Sequence, residues 1–273
     1  MKRIMDPKTG IVHTLLRYAC LTLLLVFLLG PLAQTVMISF MSTLLRDGLA
    51  EGQMTLINYR NILANPDLVA SLGNSLVYVS LNVVLTLSAA LPAAYALSRH
   101  SFVGDRYLML LLLAFRITPP VVLSLPVFLL FAQLNLLNSP IGIALIHCLF
   151  NVPVAIWILT SFISAIPREF DETIYLDGYS RVTFFIRFLM PAIAPGIGVA
   201  CFFCFIFSWV EVVFARILTS TGGKPITMAI QSLFGFQTDI GLVMAMTVIS
   251  LLPGVALIFF VRNHISKGFQ VRA

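Results

Sequence analysis

The chain has 273 residues, 59% of them apolar and only 10% charged, with a formal net charge of +6. A water-soluble domain carries roughly a quarter charged residues, so a chain this apolar cannot hide its side chains in one soluble core. The apolar residues arrive in long blocks, which points to a membrane protein, and the basic charge lies between those blocks rather than in a patch for nucleic acid.

The first apolar stretch, Leu15 to Met41, is too long for a signal core and lacks a small-x-small cleavage site, so it reads as a first membrane span. A crossing needs about 20 residues, and six blocks qualify: about 15–39, 71–98, 107–131, 140–165, 195–217 and 239–262. Several contain proline (Pro92, Pro119, Pro120, Pro126, Pro153, Pro253), which predicts kinked helices packed on one another so that neighbours satisfy the freed carbonyls. Cys20, Cys148, Cys201 and Cys204 all lie inside apolar runs, which is not a disulfide framework. The C-F-F-C at 201–204 has no His or acid beside it to complete a metal site.

Lys and Arg set the orientation. Lys2, Arg3, Lys8, Arg17, Arg99, Arg106, Arg168, Arg181, Arg187, Arg262, Lys267 and Arg272 fall on one side, and only Arg46, Arg60 and Lys224 on the other. The rich side is the cytoplasm, which places both termini there. The outer loop at about 42–70 is predicted to fold over the outer face with Asn58, Tyr59 and Asn61. A second outer loop, near Gln133–Ser139, is short. A third, at about 218–238, carries T-G-G-K-P, which lacks the first glycine of a nucleotide-binding loop and follows no strand.

The segment between the fourth and fifth spans is the most informative: I-P-R-E-F-D-E-T-I-Y-L-D-G-Y-S-R-V-T-F-F-I-R-F-L-M-P-A-I-A-P. Pro167 suits a first helical turn, and the acids after it suit the positive helix N-terminus. Phe170 and Ile174, four apart, make an apolar stripe. Gly178 fits a left-handed helix end and Ser180 can cap a second helix. On that helix Val182, Phe185, Ile186 and Leu189 are expected to form the apolar face, with Pro191 and Pro195 ending it. This hinged elbow on the cytoplasmic side is either an interfacial anchor in the headgroups or a knob that docks a cytoplasmic partner.

The segment resembles the EAA loop of importer permeases of the ATP-binding-cassette (ABC) class, whose pattern is E-A-A, two or three residues, D-G, then a short helix ending in L-P. Here it reads Glu172-Thr173-Ile174, Asp177-Gly178 and Leu189-Met190-Pro191, with both alanines replaced and Tyr179 where a small residue is usual. T-L-I-N-Y-R-N-I-L before the second span, G-N-S-L at Gly73–Leu76, A-A-Y-A-L-S-R at Ala93–Arg99, F-S-W-V-E-V-V-F-A at Phe207–Ala215 and R-N-H-I-S-K-G-F at Arg262–Phe269 are similar to the carbohydrate branch. That branch includes the smaller permease of maltose importers. Its usual Trp-Asn-Glu is Trp209-Val210-Glu211 here, and the chain stops soon after Gly268, where many relatives run on. The surroundings of Arg216 and Lys224-Pro225 also look like glycerol-type, polyol members.

The resemblance implies an all-α type I importer fold with six transmembrane helices: a cytoplasmic N-terminus (1–14), a permease domain (15–263) with the coupling elbow at about 166–194, and a cytoplasmic tail (264–273). It implies half of the pathway for a sugar or polyol, with a homologous second permease, two cytoplasmic ATPases that bind the ATP, and a periplasmic or lipid-anchored solute-binding protein. No cofactor is expected in this chain. Glu169, Glu172, Asp177, Gly178 and Arg181 are the expected ATPase-coupling residues.

Pathway candidates follow from polar groups at membrane depth. Arg116 lies about nine residues, roughly 14 Å, into the third span, where a charge usually faces a cavity or a partner. It either faces the inter-subunit pathway, anchors a broken helix beside Pro119 and Pro120, or forms a structural ion pair or carbonyl cap. Glu211 and Arg216 are five apart, a poor local pair, so each is expected to have another partner. Trp209 can stack on a sugar or sit at the interface. Asn74, Asn82 and Asn151 are expected to bond between helices, with Asn74 and Asn151 also pathway candidates. His147 has no ligand partner in sequence, and Met244 and Met246 read as packing. The rival readings are a secondary transporter, a permease for another small solute such as glycerol phosphate, or a membrane-embedded enzyme. The chain shows neither the charged relay of the first rival nor the nucleophile–base pair of the last.

Overall fold

The computed structural model describes residues 7–43, 52–101, 103–219, 222–235 and 238–268. Lys2, Arg3, Arg46, Ser220, Phe269 and Arg272 lie outside the described residues, as do the side chains of Lys8, Arg106, Arg262 and Lys267. Apart from an isolated antiparallel bridge between Met41 and Met54, the regular structure among the described residues is helical. Four helices are long and apolar enough to cross a membrane: His13–Ser39, Pro66–Arg99, Pro140–Ser164 and Ile240–Phe259.

Two units are distinguishable. The first comprises residues 1–65 and 233–249. Helix α1 (Pro7–Ser39) presents Leu23, Val26 and Phe27 at 74%, 66% and 77% exposure, a face suited to lipid or to another apolar helix. Beyond it the chain turns back through the Met41–Met54 bridge into α2 (Ile57–Ala64). Buried Asn58 donates to the carbonyls of Ser39 (2.9 Å) and Met41 (2.8 Å), satisfying the open end of α1. Thr43 Oγ1 donates to Asp239 Oδ1 (2.9 Å), and Asp239 Oδ1 also accepts the Leu242 amide at the start of α13 (Ile240–Gly268). Gly241 is required there, because a Cβ would stand 2.6 Å from Asn58 Nδ2 and 2.8 Å from the Met41 carbonyl. In the described part of this loop, Asn58 and Tyr59 are thus bonded back onto the end of α1.

The second unit comprises residues 66–232 and 250–273. Its centre is the pairing of α3 (Pro66–Arg99) with α6 (Pro140–Ser164). Ala90, Ala94 and Ala155 are fully buried, small enough to let the two backbones approach. α10 (Ala194–Trp209) packs on both, and α4 (Asp105–Ile117) lies on α6.

The predicted third span is not one helix. α4 ends at Ile117, Thr118 and Pro119 are extended, and α5 (Pro120–Gln133) starts afresh. Pro119 disfavours helical backbone at Thr118, and neither proline has an N–H to continue the ladder. The predicted fifth span is also interrupted. α10 stops at Trp209, and a separate short helix α11 (Val213–Leu218) follows. The third outer loop then carries α12 (Ile226–Ser232). Between α5 and α6, Asn135 and Asn138 take positive φ (55° and 54°), the one common left-handed choice for a non-glycine residue.

Candidate functional site

The elbow is built as a helix, a glycine hinge and a second helical run. α7 (Arg168–Leu176) carries Glu169 and Asp171 in its first turn. Gly178 has φ +84° with no atom within 4 Å of where a Cβ would stand. Ser180 Oγ accepts the Thr183 amide at 3.3 Å and so caps the run Arg181–Ala192. That run begins with α8 (Arg181–Thr183), continues as a π-helical stretch, Phe184–Leu189, and closes with α9 (Met190–Ala192), meeting α10 at 79°. Pro191 and Pro195 bracket the bend, as the sequence leads one to expect.

The π-turn corrects one expectation. With an i→i+5 repeat, Phe184 and Leu189 share the inward face and are 1% and 0% exposed, while Val182 and Ile186 stand 68% and 61% exposed. Ile174 is buried and Phe170 packs beside it, so the stripe on α7 is as expected. Glu169, Glu172, Asp177, Gly178 and Arg181 are all exposed, together with Leu176 at 87%. With Arg168 and Arg187 also exposed, the free surface of the elbow mixes acids, arginines and bare apolar side chains.

A buried clamp holds the elbow to α3. Arg99 Nη2 donates to Asp171 Oδ1 (2.8 Å) and Arg99 Nε to Asp171 Oδ2 (2.9 Å), both side chains being under 10% exposed. The remaining groups are satisfied too. Arg99 Nη1 donates to the Ile166 carbonyl (2.9 Å), and Tyr95 Oη donates to Asp171 Oδ2 (3.0 Å). Sequence reasoning did not single out Arg99 or Asp171 for this role. The available signal was an acid at Asp171, three residues before Ile174 and so on the buried stripe, where an unpaired carboxylate is not tolerated.

Within the membrane part, a cavity of about 110 Å³ is lined by Arg116, His147, Asn151, Phe207, Ser208 and Glu211 among others. The break after α10 produces it. Once the chain leaves the helix at Trp209, Glu211 turns back and accepts the amides of Phe214 (Oε1, 2.8 Å) and Ala215 (Oε2, 3.1 Å), capping α11. Its Oε2 also lies 3.5 Å from His147 Nε2. Glu211 thus has the separate partner expected of it, and Arg216 is exposed.

Arg116, in the last turn of α4, lies with its guanidinium 4.0 Å above the Phe207 ring, a cation–π contact. Asn151 is 2% exposed and donates to Asn82 Oδ1 (2.8 Å), Ser208 Oγ (2.9 Å) and, more weakly, the Cys204 carbonyl (3.3 Å). Ser208 donates to the same Asn82 oxygen (2.8 Å), and Asn82 donates to the Ala144 carbonyl (3.1 Å). This knot ties α3, α6 and α10, and its Asn151 and Ser208 line the cavity.

Trp209 and Asn74 are engaged elsewhere. Trp209 is 7% exposed, stacks on Phe205 (5.4 Å, 10°) and donates from Nε1 to the Ser250 carbonyl (3.0 Å). Asn74 donates to the Lys224 carbonyl (3.2 Å), where it and Tyr78, which donates to the Gly223 carbonyl, hold the third outer loop. Of the five pathway candidates, the structure brings Arg116, Asn151 and Glu211 together, and it adds His147 and Ser208, which sequence reasoning did not place there. Among the described residues no cluster of His, Cys, Asp and Glu could hold a metal.

Residues 86–271 match the family described as "Binding-protein-dependent transport system inner membrane component". The chain is 29% identical over 258 residues to a trehalose/maltose transport system permease protein of Thermococcus litoralis, covering 92% of this chain and 93% of that one. It is 31% identical over 202 residues to a probable ABC transporter permease protein of Sinorhizobium fredii, covering 72% of each. Its fold is that of a chain in the crystal structure of a bacterial ABC transporter involved in import of the acidic polysaccharide alginate: TM-score 0.76, 21% identity, 97% of this chain and 99% of the other.

Proposed function

This chain belongs to the family of binding-protein-dependent transport system inner membrane components, and from that premise we propose that it forms one half of the translocation pathway of an ABC importer for a sugar or polyol. A second, homologous permease completes the pathway. Two cytoplasmic ATPases supply the energy, a periplasmic or lipid-anchored protein delivers the solute, and both termini lie in the cytoplasm. The carbohydrate class is supported by the trehalose/maltose relative and by the alginate importer that shares the fold.

The observation that carries this reading is the elbow. Its exposed side chains, Glu169, Glu172, Leu176, Asp177, Arg181 and Val182, are suited to a protein groove, and its buried side is fastened to α3 by Arg99 and Asp171. A knob held rigidly to the bundle transmits a push from an ATPase to the helices around the cavity, so that the solute path opens alternately to either side. Arg116, Asn151 and Glu211 belong to that path, while Trp209 and Asn74 position its walls and outer loop.

The test is reconstitution. The complex recovered through a tag on this chain should contain a second permease and an ATPase, and in proteoliposomes with the binding protein it should take up solute only with ATP inside. Uptake driven by an ion gradient, without the ATPase, would replace this reading with that of a secondary transporter.

A further inference from the structure

The cavity beside the α10–α11 break is selective in what it leaves unpaired. Asn151 and Ser208 are tied into the knot with Asn82. Glu211 is held by two backbone amides and faces His147. Two groups remain. Arg116 pairs with no carboxylate among the described residues; its contact is the Phe207 ring face, which fixes the plane of the guanidinium without using its five N–H donors. His147 is 5% exposed, and neither Nδ1 nor Nε2 has a hydrogen-bond partner, the 3.5 Å approach to Glu211 being longer than an ordinary bond. A buried polar side chain without a partner is uncommon, and here it lines the same cavity as a cation without a counter-ion.

These groups differ in what they ask of a ligand. The one carboxylate in the cavity already accepts the amides of Phe214 and Ala215, so the charge left without a hydrogen-bond partner is that of Arg116. A cation at membrane depth is costly until something neutralises it. A neutral polyol offers hydroxyls but leaves the charge as it was. An anionic oxygen pair meets the flat fork of the guanidinium with two parallel hydrogen bonds, and a neighbouring hydroxyl meets the buried imidazole.

We infer that this cavity receives the anionic group of an acidic carbohydrate or polyol, a carboxylate, sulfonate or phosphate, with Arg116 as its receiver and His147 as the contact for the adjacent hydroxyl. The inference rests on the cavity being part of the solute path and names the class of solute that path takes. Phe207 acts as a positioning residue by holding the guanidinium flat against its ring.

The experiment uses the membrane complex without its binding protein, in nanodiscs, with glucuronate and glycerol 3-phosphate as probes and glucose and glycerol as their neutral counterparts. Titration calorimetry should find each anion bound at least about tenfold more tightly than its counterpart. Arg116→Met should abolish that preference, and Arg116→Lys, which keeps the charge but not the fork, should retain part of it. His147→Ala should weaken both anions while preserving their preference over the neutral probes. Equal binding of anions and neutral probes, or a preference that survives Arg116→Met in a complex that still assembles on size exclusion, would overturn the inference. The pathway reading is tested separately by ATP-driven uptake. If Arg116→Met stops uptake where no anion preference exists, the path stands and the anionic class falls. If the preference depends on Arg116 but uptake is unchanged in Arg116→Met, the anion site stands and its place in the path falls.

Discussion

Arg99, the last residue of α3, grips Asp171 in the first turn of α7 with two parallel hydrogen bonds of 2.8 and 2.9 Å. The pair is buried and every remaining donor or acceptor near it is met by Tyr95 or the Ile166 carbonyl, which is the condition under which a buried ion pair holds two elements in one geometry. α7 cannot tilt without moving α3, whose Asn82, roughly five helical turns farther along, holds the cavity-lining Asn151 and Ser208.

Breaking that pair should loosen the elbow while leaving the bundle in place. Asp171→Ala leaves the guanidinium buried without its partner, a loss of about 3–5 kcal/mol. The expected outcome is increased protease cleavage between residues 166 and 180 and ATP hydrolysis that no longer tracks uptake. A double exchange, Arg99→Asp with Asp171→Arg, should recover part of the coupling. Equal protease resistance in wild type and Asp171→Ala would show that the clamp does not hold the elbow.

The hinge should tolerate bulk but not backbone constraint. No atom lies within 4 Å of a Cβ at Gly178, so the cost of a side chain there comes from φ +84° alone. Gly178→Val should destabilise the elbow by about 1–2 kcal/mol, and Gly178→Asn by less. Thermal unfolding of the purified complex, read beside ATPase stimulation, should rank glycine above asparagine above valine. The reverse order would show that the hinge does not require the left-handed conformation.

If the elbow docks an ATPase as proposed, its bare apolar side chains belong to the docking face. Leu176 and Val182 are 87% and 68% exposed and make no contribution to the core. Leu176→Asp and Val182→Asp should leave expression and membrane insertion unchanged and reduce recovery of the ATPase in pull-downs by about tenfold, the size of a lost hot-spot contact. Phe184→Asp, at a buried position, should instead abolish folding of the chain itself. If both exposed variants retained the ATPase, the docking face would lie elsewhere on the elbow.

The Asn82 knot should behave as a structural unit. Asn82 accepts from Asn151 and Ser208 and donates to the Ala144 carbonyl while fully buried. Asn82→Leu strands these partners, each at about 1–3 kcal/mol in a soluble-protein core and less where a membrane lets them find others. A clear fall in the melting temperature of the detergent-purified complex is expected. Asn74→Ala, at the outer loop, should produce a smaller one.

Composition and hydropathy were enough to read a helical membrane protein, because those properties depend on partition between water and lipid along the chain. The glycine hinge, the Ser180 cap and the Phe170–Ile174 stripe were legible for the same local reason: each is decided within one or two helical turns. The break at Pro119 and the end of α10 at Trp209 were less so: a proline within a span can kink a helix or stop it, no proline marks Trp209, and the neighbouring helices determine whether the chain bends or stops. The π-turn at Phe184–Leu189 was invisible to an α-periodic reading, and Val182 and Ile186 stand exposed instead of sharing one apolar face with buried Leu189. Only the tertiary structure could bring Arg99 to Asp171, 72 residues apart, or set His147 against Glu211 while leaving Arg116 without a carboxylate partner among the described residues. Pairing between buried charges is a matter of distance in space, and sequence spacing carries that information only within a single helix.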